Sequence, residues 1–223
     1  MGKITIQSET TKNPITLIGM EAGLCWGADT TNNEKNYKRG KSCLKSGHMR
    51  TAEFPQVFMT IEGYSARVIR ELYTHIGGAP TRLQASTRYI DYCDFEYIIP
   101  QSIAKNKEAK IIYEKAMTDI QNAAKILETM DTPREDIANI LPLGMTTKMV
   151  MRTNGRHLID ISHVRECTRA YWEMRELIRD IKTALSEYSP EWKEIVDTYF
   201  MPKCEFYGFC DEEHSCGRKP KRD

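Results

Sequence analysis

No stretch of this chain holds the roughly 18 consecutive apolar residues of a membrane-spanning helix, and no charged-then-apolar leader opens it. The expectation is a soluble, unsecreted, cytoplasmic protein with no membrane partner. Neither sign of charge is in excess, with 32 Lys plus Arg against 31 Asp plus Glu, so no broad field draws the chain to nucleic acid. Walker loop, dinucleotide-type glycine fingerprint, nucleophile elbow and zincin motif are all missing. A nucleotide, if one binds, is therefore held by something other than a standard glycine cradle. There is no internal repeat and no low-complexity tract. Seven cysteines in 223 residues are too few and too odd in number for a disulfide-stapled scaffold, and reduced thiols are expected.

What is present is enough chain to bury a full core, patterned as a mixture of strands and helices. Alternation over Lys3 to Gln7 predicts a first strand, and the apolar stretch over 14–28 a short helix ending near Gly27. Residues 29–46 are polar and Lys-rich, which suits an exposed loop or a poorly amphipathic helix. Val57 to Ile61 has the composition of a buried strand. Ser65 can cap a helix whose Val68, Ile69, Leu72 and Tyr73 recur at helical spacing, with Gly77, Gly78 and Pro80 closing it. A strand is predicted near Tyr89 to Ile99. The clearest helix covers Glu108 to Met130, with Ile112, Ala116, Ile120, Ala123, Ala124 and Leu127 along its inner face. Thr132 and Glu135 form a capping-box pair around Pro133 before a short helix that ends by Leu141-Pro142. Met145 to Arg152 reads as a strand, 158–187 as one long helix, and Pro190 to Tyr199 as a last short one.

Chemistry gathers in two places. In Tyr64 to Tyr89 a helix, a glycine loop and an extended run place Arg82, Gln84, Ser86 and Arg88 where guanidinium and amide groups can converge on an anion. Solvated arginines on a connection are the plainer reading of the same residues. In the second place, Asn154-Gly155-Arg156 precedes Asp160, His163 and Arg165, a polar helix start that also suits a binding edge. His48 and His75 are single histidines that carry no functional claim alone. The tail spacing C-x5-C-x3-H-x-C, over Cys204, Cys210, His214 and Cys216, can offer zinc three thiolates and an imidazole. It departs from zinc knuckles and ribbons, whose paired ligands sit about two to four apart, so a packed cluster without metal is expected.

Taken together, these residues resemble the flavin-dependent thymidylate synthases. The family's C-terminal run of Leu-Pro, a Thr-containing strand, Asn-x-Arg-x-Leu, a helical Arg and Ala-x-x-Glu-x-Arg falls on Leu141-Pro142, Thr146 or Thr147, Asn154 to Leu158, Arg165 and Ala170 to Arg175. Upstream, Gly47-His48 with Glu53, Ile61 to Ser65 and Ser86-x-Arg88-Tyr89 match as well, and the tail PKCEFYGFCDEEHSCGRKPK looks like tails in the family. The resemblance covers about 45–217.

It implies an α/β (α+β) fold: a single domain over 1–201 with a mixed or antiparallel sheet flanked by long helices, then a Cys-rich basic tail over 202–223. It also implies a homotetramer holding FAD, with NADPH and methylenetetrahydrofolate as co-substrates in the C5 methylation of dUMP. Carried over by position, His48, Glu53, His75, Asn154 and Arg156 would hold the flavin. Glu71, Gln84, Ser86, Arg88 and Arg165 would meet the nucleotide, with Arg165 and Ser86 as catalytic residues and no metal. The chain departs from the family where the substrate is read. Thr74-His75-Ile76 replaces Arg-His-Arg, Leu83-Gln84 replaces Asn-Glu, Glu71 stands for a glutamine and Ala138 for an arginine. Asp160 and Arg169 replace an asparagine and a histidine. Arg67, Arg70, Arg82 and Arg134 are candidate substitutes for the lost cations. Exchanging amide and carboxylate near the base also leaves open dCMP or a related nucleotide, methylated or hydroxymethylated, and a non-catalytic paralogue of the same fold.

Overall fold

The computed structural model describes residues 2–222. Strand β1 (Lys3–Ile6) leads to helices α1 (Pro14–Cys25) and α2 (Asn33–Lys45), a 3-10 turn (Met49–Glu53) and strand β2 (Gln56–Ser65). Helix α3 (Ala66–Tyr73), strand β3 (Thr81–Gln84), and helices α4 (Gln101–Ala104), α5 (Lys107–Thr129) and α6 (Arg134–Ile137) follow. Strand β4 (Thr146–Asn154) then precedes helices α7 (Gly155–Arg165), α8 (Trp172–Tyr188), α9 (Pro190–Tyr199) and α10 (Lys203–Tyr207). The four strands form one antiparallel sheet in the order β1-β2-β4-β3, so the expected fold class holds. Burial alternates along β2 and β4, the mark of strands with one face on a core.

By packing, the chain divides into two compact units. One comprises Ile61–Thr74 and Leu83–Met149. In it Phe95, Met117 and Met145 form one buried cluster, with Ala66 of α3 packed against it, and Cys93, Ala124 and Ile137 form another, while Val68, Ile69 and Leu72 are buried on α3. Ser65 caps α3 as expected, its Oγ accepting from the Val68 N–H at 3.2 Å. The other unit comprises Lys3–Thr60, His75–Arg82 and the chain from Val150. It is centred on Ile15 and Ile18 of α1, Met151 of β4, Ile159 and Ile161 of α7, Met174 and Leu177 of α8, and the fully buried Trp192. The Trp192 indole donates to Thr11 O at 2.8 Å, which satisfies its polar edge inside the core.

The polar stretch after α1 is the helix α2, capped by Asn32, whose Oδ1 accepts from the Lys35 N–H at 2.9 Å. It carries little apolar surface because it meets α1 through backbone. A Cβ on Gly19 would lie 1.7 Å from Asn36 O, and one on Gly40 2.0 Å from Ile15 O.

Four expectations need correction. The apolar run 89–99 is no strand, and among the described residues its β-pairing is limited to the isolated bridge Tyr97↔Met145. Turn bonds and side chains share its backbone instead: the Phe95 N–H donates to Tyr92 O, Asp91 accepts from the Cys93 N–H, and Gln121 donates to Phe95 O. On α5 the buried residues are Met117 and Ala124, while Ile112 is 70% exposed, so the inner face is rotated from the expected one. The apolar surface of α5 is wider than the core it covers. Thr132 does not cap α6, because the N-cap position falls one residue on, at Pro133, while the Thr132 N–H closes α5 by donating to Leu127 O. The long helix over 158–187 is two, α7 and α8, interrupted between Glu166 and Tyr171.

Candidate functional site

Helix α7 begins at Gly155, earlier than periodicity alone indicates, because Asn154 caps it: its Oδ1 accepts from the His157 N–H at 2.9 Å. The same amide donates to Gly78 O at 3.5 Å. Gly78 has φ +68°, and a Cβ there would fall 2.5 Å from the Asn154 amide nitrogen, so the loop approaches the cap only as glycine. The cap and the glycine loop thereby bound a cavity of about 240 Å³, lined by Glu53, Gly77, Gly78, Asn154, Arg156, His157 and Asp160.

Three of the expected flavin residues, Glu53, Asn154 and Arg156, thus meet around one space. Arg156 Nη1 is 2.7 Å from Glu53 Oε1 and its Nε 3.7 Å from Asp160, which fixes a planar donor at the cavity edge. His48 stands at the other end of the 3-10 turn that carries Glu53, its carbonyl accepting from the Thr51 hydroxyl.

His75, beside this loop, is the best-determined titratable group of the set. Arg165 Nε donates to His75 Nε2 at 2.8 Å, and the Arg82 guanidinium donates to the His75 carbonyl. The His75 ring lies edge-on to His157 with centroids 6.5 Å apart. Burial first, then the charges of Arg165, His157 and Arg82, push the His75 pKa down to about 4. At neutral pH His75 is therefore an uncharged imidazole whose Nε2 accepts from Arg165. Unfolded chains take up this proton near pH 6.5 and the folded chain only near 4. The group's contribution to stability is accordingly lost as pH falls from about 6.5 through about 4. Urea midpoints measured across that window should drop less steeply in His75→Gln; equal slopes would refute the assignment.

Sequence reasoning passed over His157, which is buried with Nε2 unpartnered. Its pKa is lowered by burial and then by Arg82. Its place directly after Arg156, in a chain with only five histidines, was the available signal. An orphaned ring nitrogen beside an arginine and an amide suits a group rich in oxygen and nitrogen acceptors and donors. FAD, with its pyrophosphate and ring carbonyls, is such a group, so the residues present fit it. Asn154→Ala should cost about 1 kcal/mol of stability through the cap, and Asn154→Asp much less. Thermal unfolding of both variants checks this.

Of the expected nucleotide residues, Glu71, Gln84, Ser86 and Arg88 lie in the other unit, while Arg165 belongs to the first site through its bond to His75. Gln84 Nε2 faces Thr147 Oγ1 at 3.4 Å, and Ser86 Oγ accepts from the Arg88 N–H at 3.2 Å, closing a tight turn. Arg88 Nε donates to Glu135 Oε2 at 2.7 Å. Arg134 donates to Tyr89 O at 3.2 Å and sits 3.7 Å from Glu128. Glu71 is half-buried on α3. Arg82, grouped with these by sequence, belongs to the first site through its bond to His75.

A profile described as thymidylate synthase complementing protein matches residues 8–191. A flavin-dependent thymidylate synthase from Nitratidesulfovibrio vulgaris is 31% identical over 191 residues, covering 81% of this chain and 76% of its own. The chain belongs to the flavin-dependent thymidylate synthase family. It is thus one of a family of enzymes. The Clostridium tetani member is 28% identical over 234 residues, covering 94% of this chain and 91% of its own. Among solved structures, the Helicobacter pylori enzyme, complexed with FAD and dUMP, superposes with a TM-score of 0.67 at 16% identity, over 86% of this chain and 98% of its own. That likeness is one of fold. No helix among the described residues is long and apolar enough to cross a membrane.

Proposed function

We propose that this chain methylates dUMP at C5, taking the carbon from methylenetetrahydrofolate and the reducing equivalents from NADPH through bound FAD. The observation that carries this reading is the meeting of Glu53, Asn154 and Arg156 around one cavity, since family motif positions a hundred residues apart converge there. Two relatives named for this activity and a fold neighbour complexed with FAD and dUMP support it. His48, Glu53, His75, Asn154 and Arg156 would hold FAD, which supplies hydride when bound. In the net reaction the pyrimidine C5 loses a proton and gains a carbon, and that carbon is reduced to methyl by the hydride. Arg165 keeps His75 neutral and oriented, while Ser86 and Arg88 hold the nucleotide. Uracil is the base of choice here. Gln84 is not free to re-pair with cytosine at no loss, because its amide faces Thr147.

Tritium release from C5-labelled dUMP and dCMP tests the reading, with FAD, NADPH and methylenetetrahydrofolate supplied. Release from dUMP with less than about a hundredth of it from dCMP is expected, a discrimination within reach of a polar pocket. Release from dCMP alone would overturn the substrate. A folded protein that takes up no FAD would overturn the enzyme.

Assembly into a homotetramer is part of the proposal. On α5 and its C-cap, Ile112, Ala116, Asp119, Ala123, Ile126 and Met130 follow one another at alternating spacings of four and three, and all are exposed. Ile126 is 55% and Met130 67% exposed. That spacing is the seam of paired helices, and a stripe of this kind fits a second copy of the chain. Ile126→Glu should lower the mass measured by light scattering to that of a smaller species. An unchanged mass would remove α5 from the interface.

A further inference from the structure

Outside the site described above, the largest concentration of reactive side chains is in the tail. Four of the seven cysteines, Cys167, Cys204, Cys210 and Cys216, line a single cavity of about 290 Å³. They reach it from different directions. Cys167 comes from the break between α7 and α8, Cys204 from α10, and Cys210 and Cys216 from the chain that follows. The profile match ends at residue 191, so three of the four lie beyond it.

This arrangement is built rather than incidental. Cys210 is fixed on both sides, its N–H donating to Pro220 O at 2.7 Å and its carbonyl accepting from the Arg222 N–H at 3.1 Å. Arg169 reaches across to Glu212 at 3.3 Å, tying the segment between Cys210 and Cys216 to the one holding Cys167. Gly208 and Gly217, both at φ +83°, turn the chain beside Cys210 and Cys216.

We propose that these four cysteines ligate an iron–sulfur cluster of the four-iron, four-sulfide type. Four cysteines around one cavity is the donor set such a cluster takes, each thiol giving up its proton to bind as thiolate. A single zinc ion is a poorer match. Thiolates around tetrahedral zinc, at Zn–S of about 2.3 Å, sit roughly 3.8 Å from one another. Among the described residues, no three ligand atoms of the tail's Cys, His, Asp or Glu come within 4.8 Å of one another. A cubane holds its four cysteines on four separate iron corners and so keeps their sulfurs farther apart, with a volume of its own between them. The C-x5-C-x5-C spacing of Cys204, Cys210 and Cys216 is suited to that wider span. The tail over 202–223 is then a metal-bearing appendage, contrary to the metal-free cluster that its spacing suggests against zinc motifs.

The test is purification of the full chain without oxygen, followed by iron, zinc and acid-labile sulfide analysis and Mössbauer spectroscopy. Flavin absorbance overlaps that of a cluster, so optical spectra alone are not the readout. About four iron and four sulfide per chain are expected. Both should fall below about one in Cys204→Ser and Cys210→Ser, and stay unchanged in Cys25→Ser, whose thiol is exposed and not part of the cavity lining. FAD uptake by each variant, read separately, distinguishes a lost cluster from a lost fold and from failure of the enzymatic reading. Zinc without sulfide, or seven titratable thiols with no metal after anaerobic reconstitution with iron and sulfide, would overturn the proposal. So would full iron content in a Cys204→Ser/Cys210→Ser double variant.

Discussion

Arg165→Met should lower kcat/KM for dUMP methylation by about 10²–10³, the loss typical of removing one preorganised donor from an active site. The expectation rests on the 2.8 Å bond from Arg165 Nε to His75 Nε2, in which a permanent cation holds a half-buried imidazole in one tautomer. Methionine keeps the apolar stem and removes both charge and donor. A second readout separates this role from simple loss of packing. Arg165 is the leading charge that depresses His75, after burial itself, so the His75 pKa should climb from about 4 toward its usual 6.5 in the variant. Arg165→Lys should recover part of the depression but little of the activity, because an ammonium cannot reproduce the planar fork. Activity within about threefold of wild type, or an unmoved His75 resonance, would remove Arg165 from the catalytic set.

Gly40→Ala should destabilise the chain by about 3 kcal/mol or more. The added carbon would stand 2.0 Å from Ile15 O, a backbone atom of a helix that cannot step aside without dragging its own hydrogen bonds. Ordinarily Gly to Ala within a helix gains stability, by roughly 0.5–1 kcal/mol, so the predicted sign is opposite to the helix-propensity expectation. Gly19→Ala, at 1.7 Å from Asn36 O, should behave alike. The same contact accounts for Asn36 and Arg39. Asn36 is fully buried and donates to Thr30 O, and Arg39 donates to both Gly19 O and Asn36 Oδ1, so polar groups rather than apolar ones seal the joint. Urea unfolding of either variant gives the answer. A midpoint equal to or above that of wild type would mean that the helices have room to part.

These glycines also explain where sequence reading stopped. Hydrophobic periodicity located α3, α5, α9, β1 and β4, because each has a patterned apolar set. It could not choose between loop and helix for α2, whose packing face is backbone and whose apolar residues are few. It drew a strand over 89–99 from β-branched and aromatic content. There the side chains of Asp91 and Gln121 take part of the backbone bonding, which no local pattern announces. The candidate site was legible as motif positions, and Glu53, Asn154 and Arg156 do meet. Capping by Asn154 was the missed step that moved the start of α7 forward and brought His157 into the cavity. The bond from Arg165 to His75 joins residues ninety positions apart and was beyond any spacing argument.

The exposed stripe on α5 carries a further consequence if two copies close over it. A surface satisfied only by another molecule ties folding to mass action, and resistance to unfolding then grows with the amount of protein present. Dilution alone would lower the melting temperature with no change in sequence, solvent or ligand. Cells making little of this chain would hold a larger share of it as unpaired copies, each with Ile112, Ile126 and Met130 open to water and to any other apolar surface nearby. Abundance would then act as a stabiliser in its own right.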